Sequence, residues 1–437
     1  MRIVHLTAGA GPMYCGSCMY GNTLAAALGK LGADVVLVPV YTPLRTDEDD
    51  VSIAHLAYGG INAYLQQRSV VFRHTPWFVD RLLDHPALVR WAARRGARTR
   101  PEHLGALTVA MLRGQEGRLR KELEKLVRWL QDELRPDLVH LSNVMLSGLA
   151  GPLGERLGVP VISTLSGEDV FLEKLLAPHY GEARAELRRQ ASQLAALVAM
   201  NRYYADFMTE YLDVPGDRVH VIAPGLNLAG HGVRPPAADG PSRSTPFTIG
   251  YLARICFDKG LHQLVEAFRL LSGRPELPPA RLRVAGYLDR ADRPYLDGIL
   301  QSLRDWGLSD RFQYVGELDR AAKIAFLQSL DVMSVPTVYA ESKGLSVLEA
   351  WANGVPVVLP AHGAFPEMVA DTGGGLLCEP RRPSALAAAL AQFMADRQLA
   401  AQCGCRAQQA VRQRYHAELM ARRMMELYEN VLRTEPQ

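Results

Sequence analysis

Cysteine is scarce. Six among 437 residues are too few for a disulfide scaffold in a chain of this size. Long apolar runs are missing as well, since no stretch approaches the ~18 residues that a membrane-crossing helix requires. Neither sign of charge dominates: 49 Lys and Arg stand against 46 Asp and Glu, a net +3. So mild an excess, with no basic stretch interleaved with aromatics, excludes a nucleic-acid platform. No G-x-G-x-x-G followed by an acidic residue at the end of a second strand occurs, which removes the dinucleotide fingerprint. Met1-Arg-Ile-Val-His-Leu6 reads as a strand rather than a signal peptide, because no apolar core of suitable length follows it. The expectation is a cytoplasmic globular protein of two α/β domains, roughly 200 residues each.

What is present centres on Tyr339-Ala-Glu-Ser-Lys-Gly-Leu-Ser-Val-Leu-Glu-Ala-Trp-Ala-Asn-Gly-Val-Pro-Val-Val358, read as a loop, a short helix and the next strand. Glu341 and Glu349 bracket it with seven residues between them, and Gly344 falls at the start of the helix. A helix start offers unpaired N–H groups and the positive end of a dipole, which suits a phosphate. The carboxylates accept hydrogen bonds from hydroxyls but repel phosphate. A nucleotide-linked sugar has that order of groups. The other reading is an amphipathic helix with Leu345, Leu348 and Ala352 inward and Glu349 solvated. Spacing alone leaves both open.

From the N-terminus, a strand at 3–6, a turn with Gly9, Gly11, Gly16 and Gly21, a helix at 23–31 and a strand at 34–40 make a βαβ start. Cys15 and Cys18 form a C-x-x-C between strand and helix, where a thioredoxin-like redox pair would sit; two thiolates alone fall short of a zinc site, and plain packing is the other reading. Cys403 and Cys405 read as packed or exposed thiols. Residues 41–135 interrupt the alternation with Tyr58-Gly-Gly-Ile-Asn-Ala-Tyr64, Trp77, Phe78, Trp91 and the arginines 90, 94, 95, 98 and 100. Those arginines suit anionic lipid, an anionic acceptor or simply solvent. Asp47-Glu-Asp-Asp50 lies in a polar loop without supporting metal ligands, and 118–134 reads as an amphipathic helix.

Short apolar strands at 137–141 and 159–165 each end in polar residues: His140, Ser142 and Asn143 at the first, Ser166, Gly167, Glu168 and Asp169 at the second. Ligands of open α/β sheets bind beyond the carboxyl ends of strands, so these are first-domain candidates, with a core or capping role as the alternative for His140. A helix at 184–197 and strands at 198–201 and 219–222 follow. Residues 229–246 have linker composition, and a second alternation begins at 247. Its first turn carries Arg254-Ile-Cys-Phe-Asp-Lys259, two cations suited to a diphosphate and able to take a metal's place. The polar turns and this loop are expected to face each other across a cleft.

Arg254 and Lys259, Gly316 after a strand, the Glu341/Glu349 pair and Gly363-Ala-Phe-Pro-Glu367 together resemble the retaining glycosyltransferases of family 4, which have a GT-B fold. The likeness is specific over roughly 247–430 and looser over 1–228. It implies two Rossmann-like open parallel-sheet domains: 1–228 on the acceptor side, joined by a crossing helix at about 412–437, and 229–411 on the donor side. It also implies that Arg254 and Lys259 hold the donor diphosphate, that backbone near Gly344 and Leu345 adds to it, that Glu349 takes the ribose hydroxyls and Glu341 the transferred sugar, and that no metal or other cofactor is needed. Gly16, His140, Asn143, Ser166, Gly167 and Asp169 remain the first-domain candidates. Two residues depart from the pattern: Ser166 replaces a usual histidine and Lys343 a usual aromatic.

The expected activity is retaining transfer of a sugar from a nucleotide sugar to a hydroxyl of a glycan, lipid-linked or small-molecule acceptor. No nucleic-acid partner is expected, and peripheral membrane contact is consistent with the arginines at 90–100. The rival reading, motivated by Ser166, is a catalytically silent nucleotide-sugar or glycan binding protein of the same fold.

Overall fold

Two sets of short apolar segments build two separate parallel sheets. The computed structural model describes residues 1–9, 14–53, 104–232 and 246–434. Gly11, the stretch 58–64, Trp77, Phe78, Trp91, the arginines at 90–100 and most of the linker lie outside the described residues. The chain divides into one unit of Met1–Gly225 with Ala417–Gln437 and another of Leu226–His416.

In the first unit the strands are β1 (Arg2–Thr7), β2 (Asp34–Pro39), β3 (Leu138–Leu141), β4 (Val161–Thr164), β5 (Ala196–Ala199) and β6 (Val219–Val221). They pair in the order β2-β1-β3-β4-β5-β6, all parallel. Every residue of β3, β4 and β5 is buried, the mark of a sheet covered by helices on both faces. One cover is the helix Ala417–Thr434, whose Met420, Met424, Leu427, Tyr428 and Val431 repeat at helical spacing and pack with Ile3, Leu24, Leu28, Ile162 and Val198. The last helix therefore joins the first unit's core, although the whole second unit precedes it in sequence.

The second unit contains β7 (Phe247–Leu252), β8 (Ala280–Ala285), β9 (Phe312–Tyr314), β10 (Val332–Met333), β11 (Val357–Pro360) and β12 (Gly375–Cys378). Its order is β12-β11-β10-β7-β8-β9, again parallel. Strand order reverses between β7 and β10. Chains leaving the carboxyl ends of those neighbours diverge to opposite sides, and the crevice between them is where an open α/β sheet binds ligand.

Three expected helices have different limits. The helix expected at 23–31 runs over Gly16–Lys30, so Gly16 and Gly21, expected in the turn before it, are helical. The helix expected at 184–197 is His179–Ala191; Leu197 belongs instead to β5, paired with Val219 of β6. The run 118–134 is α-helical only over Arg120–Trp129 and then widens into a π-turn, Leu130–Leu134, closed by Arg135 in the left-handed region. The long interruption also contains a helix, Gly105–Leu112, buried against the His179–Ala191 helix; a Cβ on Gly105 would meet His179 Cβ at 2.6 Å. No helix among the described residues is long and apolar enough to cross a membrane.

Candidate functional site

The second unit's crevice is built by close approach of backbone. After β7 the chain makes a short turn, Phe257–Lys259, and reaches Gly260 at φ +74. A Cβ on Gly260 would lie 1.8 Å from the carbonyl oxygen of Pro336, in the loop after β10, so only glycine lets the two loops touch. Val338 N donates to Asp258 O at 2.9 Å and fixes their register. Gly363, at φ +62, performs the same service for a third segment, since its Cβ would meet Glu341 N and O at 2.5 Å. Ala364 N donates to Glu341 O at 2.8 Å.

This frame brings Lys259 to Glu341. Lys259 Nζ lies 2.6 Å from Glu341 Oε2 and 2.5 Å from the Tyr339 hydroxyl, which itself donates to Glu341 Oε2 at 2.9 Å. Burial alone would favour the neutral carboxyl, but the ammonium outweighs it and holds Glu341 down at about 2. Burial likewise opposes the charge on Lys259, and Glu341 with Tyr339 reverses that, raising it above the ordinary lysine value. Glu341 is therefore an anion at neutral pH and acts only as an acceptor. Arg254, earlier in the same loop after β7, is exposed, with its Nε 3.4 Å from Cys256 Sγ.

Glu349 is in the eight-residue helix Leu345–Ala352, whose cap Gly344 has φ +67. A Cβ on Gly344 would come within 2.6 Å of Met368 Sδ, so this helix start is packed tightly against the Phe365–Thr372 helix. The amphipathic reading with Glu349 in solvent is overturned: Glu349 is 9% exposed and its Oε1 is paired with Lys323 Nζ. An unpaired carboxylate there would be costly, and the lysine removes that cost. Lys323 and Tyr339 are the partners of the candidate glutamates that sequence reasoning missed. For Lys323 a signal existed, because it shares a helical face with the buried Phe326 and Leu327. Gly316 follows β9 at the sheet edge; its φ is +81 and its carbonyl accepts from Gly286 N at 2.9 Å. It braces the loops beside the crevice.

In the first unit, Gly16, Asn143, Ser166, Gly167 and Asp169 all follow the carboxyl ends of β1, β3 and β4, which are neighbours in the sheet. Glu168 ties two of those turns together. It accepts from Ser166 N at 2.8 Å, Ser166 Oγ at 3.0 Å and Val144 N at 3.2 Å. The Tyr204 hydroxyl accepts from Gly167 N at 2.9 Å and donates to Asp169 Oδ1 at 2.7 Å. Burial raises the Asp169 carboxyl's pKa, and Tyr204's hydrogen bond opposes that only in part. His140 does not join this group. It is fully buried, stacked on His5 at 4.5 Å, with its ring nitrogens 2.8 Å from the Tyr428 hydroxyl and from Thr164 Oγ1. Burial drives its pKa well below the usual histidine value. It is a core histidine, because its strand position points it at the covering helix.

Among the described residues, no three His, Cys, Asp or Glu side chains converge as metal ligands do.

Known proteins share this organisation. The family described as Glycosyl transferases group 1 matches residues 237–410, and Glycosyltransferase Family 4 matches 89–229. The D-inositol 3-phosphate glycosyltransferase of Jonesia denitrificans is 30% identical over 300 residues, 65% of this chain and 68% of that one. The glycogen synthase of Mycobacterium tuberculosis (strain ATCC 25618 / H37Rv) is 27% identical over 270 residues, 60% of this chain. That match spans 61% of the glycogen synthase's own length. Among solved structures, sucrose-phosphate synthase from Thermosynechococcus elongatus superposes with a TM-score of 0.71 at 18% identity, covering 100% of both chains. Anabaena HepE in complex with UDP gives 0.66 at 17% identity, covering 98% of this chain and 100% of that one. The crevice residues, the two doubly wound sheets and these matches agree: the chain belongs to the family 4 glycosyltransferases and has their GT-B fold.

Proposed function

We propose that the protein transfers a sugar from a nucleotide-diphosphate donor to an acceptor hydroxyl, with retention of anomeric configuration and without a metal. The observation that carries this reading is the Lys259–Tyr339–Glu341 cluster in the crevice where the strand order reverses. Lys259 and Arg254 supply two positive charges for the diphosphate, the task a metal would otherwise perform. A donor entering the crevice competes with Glu341 for Lys259. The freed Glu341 oxygens then accept hydrogen bonds from the sugar's hydroxyls, and Glu349 serves the ribose with the acceptor capacity that Lys323 leaves. The departing diphosphate takes the acceptor's proton on the face it leaves, so positioning and charge stabilisation are the protein's main contributions. HepE has been solved with UDP and with UDP-glucose, which makes uridine nucleotides the first donors to try. The cytoplasm and the membrane edge belong to this same proposal, supported by the donor class and by the arginines at 90–100.

The test is a thermal-shift panel of nucleotide sugars followed by turnover with glycan, lipid-linked and small-molecule acceptors, the product's anomeric configuration being read by NMR. A donor at 100 times its Kd raises stability by about 2.7 kcal/mol. Retention without added metal, unaffected by chelator, is the expected result; an inverted product removes the retaining assignment. One observation favours a second reading, binding without transfer: the Ser166 hydroxyl is engaged by Glu168 and stands where the family has a histidine. Donor binding without turnover across the acceptor panel would favour it.

A further inference from the structure

The C-x-x-C at residues 15–18 takes no part in the donor chemistry, yet its geometry is specific. Cys15 is extended (φ −115, ψ 125) and occupies the position before the 15-residue helix Gly16–Lys30 without a side-chain capping hydrogen bond, which puts Cys18 at the third helical position. Side chains at the cap and the third position face each other across a helix's first turn, as in a capping box. Here both are thiols, and the two sulfurs are in hydrogen-bond contact. They differ in access: Cys15 is half-buried, whereas Cys18 is 2% exposed, with Thr7 Oγ1 3.9 Å from its Sγ. No acidic residue in the first helical turn offsets the positive end of the dipole. The hydrogen bond to Cys15 and burial push the Cys18 thiol up, as suits a group that reacts second.

We propose that Cys15 and Cys18 are a thiol–disulfide exchange site that closes reversibly to an intramolecular disulfide on reaction with a small-molecule disulfide. Cys15, as thiolate, attacks one sulfur of RSSR; a Cys15–SR bond forms, the RS–SR bond breaks and one RS⁻ leaves. Cys18 then gives up its proton and attacks Cys15 Sγ, forming the Cys15–Cys18 bond and expelling the second RS⁻. Two protein thiols are oxidised, one disulfide is reduced, and the two thiol protons end on the two RSH products. The site follows the carboxyl end of β1, beside β3 in the sheet, and stands independently of the transfer reading.

The experiment equilibrates the full chain in buffers from fully reduced to fully oxidised glutathione, followed by acid quench, alkylation and mass spectrometry. The tryptic peptide 3–30 carries both cysteines and no other. Its two thiols are expected to disappear together, leaving a peptide lighter by two hydrogens, and to return with dithiothreitol. In Cys18→Ser, Cys15 should retain one glutathione; in Cys15→Ser, the buried Cys18 should remain a free thiol. A wild-type peptide that stays a dithiol in fully oxidised glutathione overturns the proposal, as does equal glutathione uptake by the two single variants. If either variant fails to fold, the wild-type peptide decides.

Discussion

Lys259 and Glu341 form a 2.6 Å ion pair across 82 residues of sequence, with the Tyr339 hydroxyl bonded to both. Glu341's side chain is 8% exposed and Lys259's 23%, so solvent screens the pair only in part. The carboxylate expected to meet the sugar and the cation expected to meet the diphosphate thus hold each other in place before any donor arrives. Removing either leaves a charge in the crevice without its partner.

Replacing Arg254 and Lys259 together by Ala should raise the donor's Kd by about tenfold or more for each, because a charge-assisted hydrogen bond contributes ~1.5–3 kcal/mol. Calorimetric titration with the bare nucleoside diphosphate measures this, with circular dichroism confirming the fold. Unchanged affinity would remove both residues from the diphosphate site.

The ion pair also sets an acid limit. Glu341's folded value, about 2, lies below the ordinary carboxylate value near 4.5, so its stabilisation is fully present above pH 4.5 and is lost as pH falls towards 2. The contribution at neutral pH is roughly 3 kcal/mol. Urea melts of the wild type and of Glu341→Gln between pH 5 and 2.5 should therefore converge on acidification; parallel curves would show that the ionisation of Glu341 is not linked to stability in this range.

The two glutamates should separate kinetically. Glu341 is assigned to the transferred sugar, where positive charge develops as the diphosphate leaves, so Glu341→Gln should lower kcat at saturating donor more than it weakens the bare nucleotide. Glu349 is assigned to ribose hydroxyls that are equally present in ground and transition states, so Glu349→Gln should weaken the nucleotide and leave kcat nearer normal. Reversed effects would falsify this division of labour.

Gly260→Ala tests the frame rather than the chemistry. The new methyl would meet Pro336 O at 1.8 Å with the backbone at φ +74. The β7 and β10 loops must part, so Tm should fall and donor binding should weaken, while Gly216→Ala, with open space around its Cβ, should do neither. Differential scanning fluorimetry with and without nucleotide reads both effects.

Much of this was legible in the chain itself. Parallel strands buried on both faces are short and mostly apolar, so 247–252 and 357–360 announce themselves, and the glycine ahead of Leu345 marks a break before the helix. The Glu341 and Glu349 spacing and the two cations of residues 254–259 are likewise local facts, and with them came the family. Only the tertiary structure decided which side chains meet. Lys323 reaches Glu349 from a different helix, and Lys259 reaches Glu341 because strand order reverses between β7 and β10, a choice of neighbours that no local pattern encodes. His140 shows the reverse case. Its polarity at a strand end suggested a ligand-facing group, but strand alternation turns it beneath Tyr428 of a helix 288 residues away. Periodicity records which face of an element is buried; it holds no information about what buries it, because that is fixed by packing among distant segments.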